Sequence, residues 1–144
     1  MARDISPNPE KSAQIGILVV DDEPLIRWSL AETLADHGYS VLEAGDGKAA
    51  IALLKDPNHG VQVVMLDYRL PDLNGLQVLA AIRALSPRTR VVMMTAYGTP
   101  DIVAEAHRLG AVCIVNKPIE MADVAGLVRA ARDANPGVGS PFPS

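Results

Sequence analysis

Two short runs, GILVVD over 16–21 and VQVVMLD over 61–67, are apolar at nearly every position and each ends in aspartate. A strand with one wet face would alternate polar and apolar residues. Continuous apolar runs mean burial on both faces, hence a parallel sheet covered by helices on either side. RVVMMT (90–95) and AVCIV (111–115) repeat the pattern, and Tyr39–Ala44 alternates like a strand with one open face. Helical spacing fills the gaps. Pro24–His37 carries Ile26, Leu30 and Leu34 four apart, with Gly38 as a stop. Asp46–Lys55 opens on a good N-cap, Asp46. Asn74–Leu85 is helical, and Pro100–Leu109 is ended by Gly110. Glu120–Asp133 places Met121, Val124, Leu127, Val128 and Ala131 on one side. Strand–helix units of this kind, joined by right-handed crossovers, give a doubly wound five-stranded parallel sheet.

Composition limits what such a fold does. The 144 residues suit one domain. Hydrophobic residues are 49% and charged residues 21%, too apolar for a disordered chain. Aromatics are only 3%, so the core is aliphatic. A net charge of −4 leaves no basic stripe for phosphate backbones and argues against nucleic-acid binding by this domain alone. No apolar run approaches the ~18 residues of a membrane span, and the N-terminus lacks signal-peptide order. The single cysteine, Cys113, excludes an internal disulfide and fits a reducing cytoplasm. Residues 1–14 read as a flexible arm, 15–133 as the folded domain, and 134–144 as a Pro/Gly/Ser-rich flexible tail or a linker cut short.

The polar residues fall in a pattern. Asp21 with Asp22, Asp67 and Thr95 end three of the central runs, and Lys117 follows the last run by two residues. In open parallel sheets, ligands bind at the carboxyl edge where strand order reverses. One strand-end aspartate is commonplace, since aspartate caps turns and helices. Several on one edge repel: two carboxylates ~4 Å apart cost roughly 4 kcal/mol at an effective dielectric near 20. Three acids sharing an edge therefore call for a cation. Hard oxygen ligands with open positions suit Mg²⁺, Lys117 adds a fixed positive charge, and the set is one for phosphoryl transfer to a carboxylate.

VVDDEP (19–24), MLDYRLPDLNG (65–75), MTAYG (94–98) and Lys117–Pro118 resemble, in order and spacing, the receiver domain of two-component response regulators. The resemblance spans about Ile15 to Asp133. It implies a flavodoxin-like sheet of order 2-1-3-4-5 with five helices. It also implies roles. Asp67 is the phosphoacceptor. Asp22, Asp67 and the backbone carbonyl of Arg69 hold Mg²⁺, with Asp21 acting partly through water. Thr95, with the Ala96 amide beside it, binds the phosphoryl group. Lys117 pairs first with Asp67 and then with a phosphoryl oxygen, and its bond to Pro118 is expected to be cis. The phosphodonor is a sensor histidine kinase or a histidine phosphotransfer protein. The readout is a changed surface offered to an output protein or domain, with homodimer formation on phosphorylation among the outcomes. The chain assists its own modification at Asp67 and is not an enzyme acting on a separate substrate.

One position departs from the pattern. Many receivers have an aromatic residue three positions before the lysine, and Ile114 stands there. Tyr97, two after Thr95, is the nearest aromatic candidate to move with it. Arg69 and Tyr97 lie two after the phosphoacceptor and two after the threonine, and both are large enough to hinder an attacking water. Glu23 reads as an acid favouring the dipole of the first helix, with Pro24 in its first turn. Trp28 lies off the apolar stripe, half exposed. His37, His59 and His107 do not cluster in sequence, and Cys113 and the Met65, Met93 and Met94 positions read as core.

Alternative readings concern the chain's context and its function class. MTAYG and RWSL (27–30) look like receivers that precede an ATPase and a DNA-binding domain in transcriptional activators. A haloacid-dehalogenase-type phosphohydrolase needs an acid where Arg69 stands. A flavodoxin-like electron carrier needs a hydroxyl-rich phosphate loop where the acidic DDEP lies.

Overall fold

A computed structural model describes residues 14–134. Of the flexible arm expected over 1–14 and the tail expected over 134–144, residues 1–13 and 135–144 lie outside the described residues. The elements run in chain order as β1 (Gly16–Val20), α1 (Pro24–Asp36), β2 (Ser40–Ala44), α2 (Gly47–Leu54), β3 (Val61–Asp67), α3 (Gly75–Leu85), β4 (Arg90–Thr95), α4 (Pro100–Arg108), β5 (Cys113–Asn116) and α5 (Met121–Asp133). All strand pairs are parallel, in the order β2-β1-β3-β4-β5. The chain steps outward from β1 to β2, then returns to the other side of β1 for β3. Strand order therefore reverses between β1 and β3, the place where such sheets hold ligands.

Each face of the sheet has its own aliphatic core. Ile17, Val19, Val63, Met65, Val92 and Met94 pack under α1 and α5. Leu18, Val20, Val64, Leu66, Val91 and Met93 pack under α2, α3 and α4. Successive residues of one strand thus enter opposite cores, which is why β1, β3 and β4 are apolar throughout. The stripe on α5 is buried at Val124, Val128 and Ala131, while Met121 and Leu127 lie at its margin and Ala125 joins it.

Local signals set the helix ends. Asp46 caps α2 by accepting from the Ala49 amide at 2.7 Å. Asn74 and Gln77 form a capping box at the start of α3. Thr99 caps α4, with Pro100 in the first turn. Strands β2 and β5 differ from the expected bounds, and hydrogen bonds account for their later starts. Tyr39 sends its N–H back to the Leu34 carbonyl of α1 (3.2 Å), so β2 begins at Ser40. Ala111 likewise donates to the Ala106 carbonyl of α4 (2.9 Å), so β5 starts at Cys113 and runs to Asn116.

Candidate functional site

Strand register gathers the polar residues. Val20 pairs with Leu66, Asp67 with Met94, and Thr95 with Asn116. The residues at or just past these strand ends therefore share one edge: Asp21 and Asp22 after β1, Asp67 on β3, Thr95 on β4 and Lys117 after β5. Asp22, Asp67, Thr95 and Lys117 border an open cleft of about 540 Å³, with Arg69, Ala96 and Tyr97 also in its walls, while Asp21 is buried out of it. The expected site residues meet there, and the Lys117–Pro118 bond is cis.

The depths of the edge are tightly wired. Asp21 is fully buried, Asp67 and Thr95 are buried, and Asp22 is exposed. Lys117 Nζ donates to Asp21 Oδ2 at 3.1 Å, to Asp67 Oδ2 at 3.2 Å and to Glu23 Oε1 at 3.2 Å. The other oxygen of Asp67, Oδ1, accepts from the Arg69 amide at 3.2 Å. Thr95 Oγ1 accepts from the Tyr97 amide at 3.2 Å. One carboxylate oxygen from each of Asp21, Asp22 and Asp67 lies within 4.8 Å of the other two. Three hard oxygen donors at that spacing, one of them exposed, fit a divalent cation that keeps several waters, as Mg²⁺ does.

Electrostatics follow from this crowding. Burial raises the pKa of Asp67 above the usual 3.8, and the nearby Asp21 charge raises it further; the Arg69 amide and Lys117 pull the other way without cancelling the shift. For Lys117, burial alone disfavours the ammonium. The hydrogen bond to Asp21 and the charges of Asp67 and Asp21 outweigh it, so Lys117 is held more firmly protonated than a free lysine.

Neighbouring elements brace the loop after Asp67. Gly75 opens α3 tight against the end of β3, and its N–H donates to the Tyr68 carbonyl at 2.6 Å. A Cβ there would lie 2.6 Å from Tyr68 Cα and 2.9 Å from the Asp67 carbonyl oxygen, so only glycine fits. Farther along the loop, Asp72 accepts from the Gly47 and Lys48 amides of α2, both at 2.9 Å.

Two participants were not anticipated. Glu23 sits at the N-cap of α1 without a side-chain cap bond, and its carboxylate turns to Lys117 instead of serving the helix dipole alone. Arg27 reaches back from α1 to the Asp21 carbonyl. Opposite charges at the start of one helix and the end of a neighbouring strand hint at such contacts, but the pairing depends on register. Ile114 is half-buried against the α2–α3–α4 core. Tyr97 is 76% exposed and is joined to Thr95 by its own backbone N–H.

Comparison with known proteins agrees with this geometry. Residues 17–129 match the response regulator receiver domain. The chain is 41% identical over 108 residues to the probable transcriptional regulatory protein NarL of Mycobacterium tuberculosis, covering 74% of this chain and 48% of that protein. It thus spans about half the length of that relative. It is 31% identical over 113 residues to sporulation initiation phosphotransferase F of Bacillus subtilis, covering 78% of this chain and 90% of that one. The crystal structure of a CheY-like receiver domain protein from Methanospirillum hungatei superposes with a TM-score of 0.80 at 26% identity, covering 84% of this chain and 95% of that one. The sheet order, the edge where the acids meet and these likenesses agree: the chain belongs to the response regulator receiver domain family of two-component systems.

Proposed function

We propose that this receiver is a phosphorylation switch of the cytoplasm in which Asp67 takes a phosphoryl group from a phosphohistidine. The donor is a sensor histidine kinase or a histidine phosphotransfer protein. The observation that carries the reading is the Asp67 carboxylate on an open cleft, bonded to Lys117 Nζ and within 4.8 Å of carboxylate oxygens of Asp21 and Asp22. Asp22, Asp67, the Arg69 carbonyl and, partly through water, Asp21 are the residues that would hold Mg²⁺. When bound, Mg²⁺ offsets charge on the carboxylate and the phosphoryl oxygens.

The chain's own residues do the rest. An Asp67 oxygen attacks phosphorus in line, the P–N bond to histidine breaks, and its electron pair stays on the imidazole. Lys117 moves its bond from Asp67 to a phosphoryl oxygen while keeping Asp21. Thr95 turns its hydroxyl to another oxygen, beside the Ala96 amide. Water later hydrolyses the acyl phosphate, so the domain assists its own phosphorylation and dephosphorylation and turns over no separate substrate. The added charge shifts the population toward a second arrangement of the surface around α4, β5 and α5. That surface would serve an output protein or domain, or a second copy of this chain. The NarL match and the MTAYG and RWSL stretches favour a place at the N-terminal end of a longer transcriptional regulator.

Incubation with acetyl phosphate and Mg²⁺, followed by intact-mass measurement, tests the reading. One phosphoryl group is expected on the wild type and none on Asp67→Asn or in excess EDTA. A folded wild type that takes up no phosphoryl group would overturn it.

A further inference from the structure

Asp21 is held through its backbone as well as its carboxylate. Its N–H donates to the Ala44 carbonyl at 3.1 Å. Its Oδ1 accepts from the Glu23 amide at 2.9 Å, and its Oδ2 accepts from Lys117. Its carbonyl oxygen accepts from Arg27 Nη1 at 2.7 Å. That carbonyl belongs to the planar peptide that leads into Asp22, so fixing it fixes the direction in which the Asp22 backbone leaves β1. Arg27 is itself held from the far side, where Nε donates to Glu43 Oε1 near the end of β2 at 3.1 Å. Gly45 leaves room for the guanidinium: a Cβ there would lie 3.3 Å from Nη1. The guanidinium thus joins the start of α1, the end of β2 and the peptide between the two acids.

We propose that Arg27 is a positioning residue for the divalent-cation site, acting through the Asp21 carbonyl to aim Asp22. The proposal rests on the metal-dependent reading above. A simple charge argument predicts the opposite sign, because a nearby cation repels a cation and its removal should tighten metal binding. Two features oppose that outcome. Glu43 offsets the guanidinium charge, and the planar fork spans two acceptors that a single ammonium or an apolar side chain cannot hold together. The Arg27–Glu43 pair is partly exposed, with side chains 22% and 42% accessible, so as an ion pair it adds little stability. Its consequence is geometric.

Titration calorimetry with Mg²⁺ alone, on the whole chain, tests the proposal, with the metal-free melting temperature measured beside it. Arg27→Met is expected to weaken Mg²⁺ binding about tenfold, the low end of what losing a partner of a metal ligand costs. Arg27→Lys, which keeps the charge but not the fork, should also bind more weakly than wild type. Glu43→Gln keeps an acceptor for Nε but no longer offsets the guanidinium charge, so it should bind somewhat more weakly than wild type and more tightly than Arg27→Met, and Gly45→Ala, which crowds the guanidinium, should likewise fall between. Arg27→Met binding Mg²⁺ as tightly as wild type, or more tightly, overturns the proposal, as does a melting temperature that drops with affinity unchanged. Should Arg27→Met not fold, Gly45→Ala decides by the same criterion. Asp22→Asn provides the separate control. A folded wild type that binds Mg²⁺ no better than Asp22→Asn overturns the metal reading itself, whereas clear wild-type binding with unaltered Arg27 variants overturns only the positioning role.

Discussion

Asp67 is a buried carboxylate with another buried carboxylate beside it, and the fold bears a cost for keeping it ionised. A carboxyl whose pKa is raised on folding binds more protons in the folded state, so stability falls as pH rises through the shifted value. Asp67→Asn removes that burden while Lys117 keeps Asp21 and Glu23. The metal-free variant is expected to melt about 3 °C higher than wild type at pH 7, an ordinary scale for one substitution in a domain of this size. The gap should shrink as pH falls through the Asp67 titration, which thermal scans across pH would show. Tyr97 gives a kinetic prediction. Its exposed ring stands at the wall of the cleft, two residues after Thr95. Phosphorylated Tyr97→Ala should lose its phosphoryl group about tenfold faster than wild type, a barrier change of ~1.4 kcal/mol; equal lifetimes by intact mass would remove the shielding role. At this scale the sequence names Asp21, Asp22, Asp67, Thr95 and Lys117 because strand-end polar residues stand out against apolar runs. It does not reveal Glu23 or Arg27 as members of the site. Glu23's partner Lys117 is 94 residues away; Arg27 bonds a backbone carbonyl, that of Asp21, which no side-chain pattern marks, and its other partner, Glu43, is 16 residues away on β2.

At the scale of elements, most helices and strands are legible because apolar period and caps agree. Val61–Asp67 and Arg90–Thr95 begin and end where the pattern says. Strands β2 and β5 start later than the pattern says because a strand-like residue spends its N–H on a preceding helix. Asp72 shows the reverse case, a side chain in one loop capping a helix distant in sequence. Its pKa lies below the usual 3.8, chiefly because the Lys48 amide binds the ionised form; desolvation opposes this, and the Gly47 amide adds to the lowering. A carboxylate lowered in this way stabilises the fold above its unfolded pKa and stops doing so as pH falls through its folded one. Asp72→Ala should therefore lower the urea midpoint at pH 7, and the difference from wild type should narrow steadily below about pH 4. On α1, Leu25 and Trp28 are 73% and 55% exposed, three residues apart and so on one side of the helix. The neighbouring Ile26 lines the cleft, and under the proposed function this exposed apolar pair is where a phosphodonor protein would rest. Trp28→Ala should slow phosphotransfer from a phosphohistidine partner about tenfold, as loss of an aromatic anchor does, and leave acetyl phosphate uptake unchanged.

Across the whole molecule, the parallel sheet and its two cores follow from composition and periodicity, but strand order does not. Any right-handed winding of five such units would satisfy the apolar pattern; order 2-1-3-4-5 is implied by the motif resemblance alone, and the structure has it. That order matters, because it sets β1 beside β3 and so Asp21 beside Asp67. It also couples ligand to stability: a cation that binds the folded edge stabilises the domain by mass action, about 2.7 kcal/mol at a hundredfold excess over Kd. The metal-free melting temperature should rise with Mg²⁺ and fall back with EDTA. Among the described residues no helix is long and apolar enough to cross a membrane. The most direct measurement traps the acyl phosphate. Wild-type protein treated with acetyl phosphate and Mg²⁺ is reduced with borohydride, and the altered residue is located by tandem mass spectrometry. The expected result is homoserine at position 67, only when Mg²⁺ is present. Reduction at another carboxylate, or at position 67 with equal yield in EDTA, would contradict the central claim.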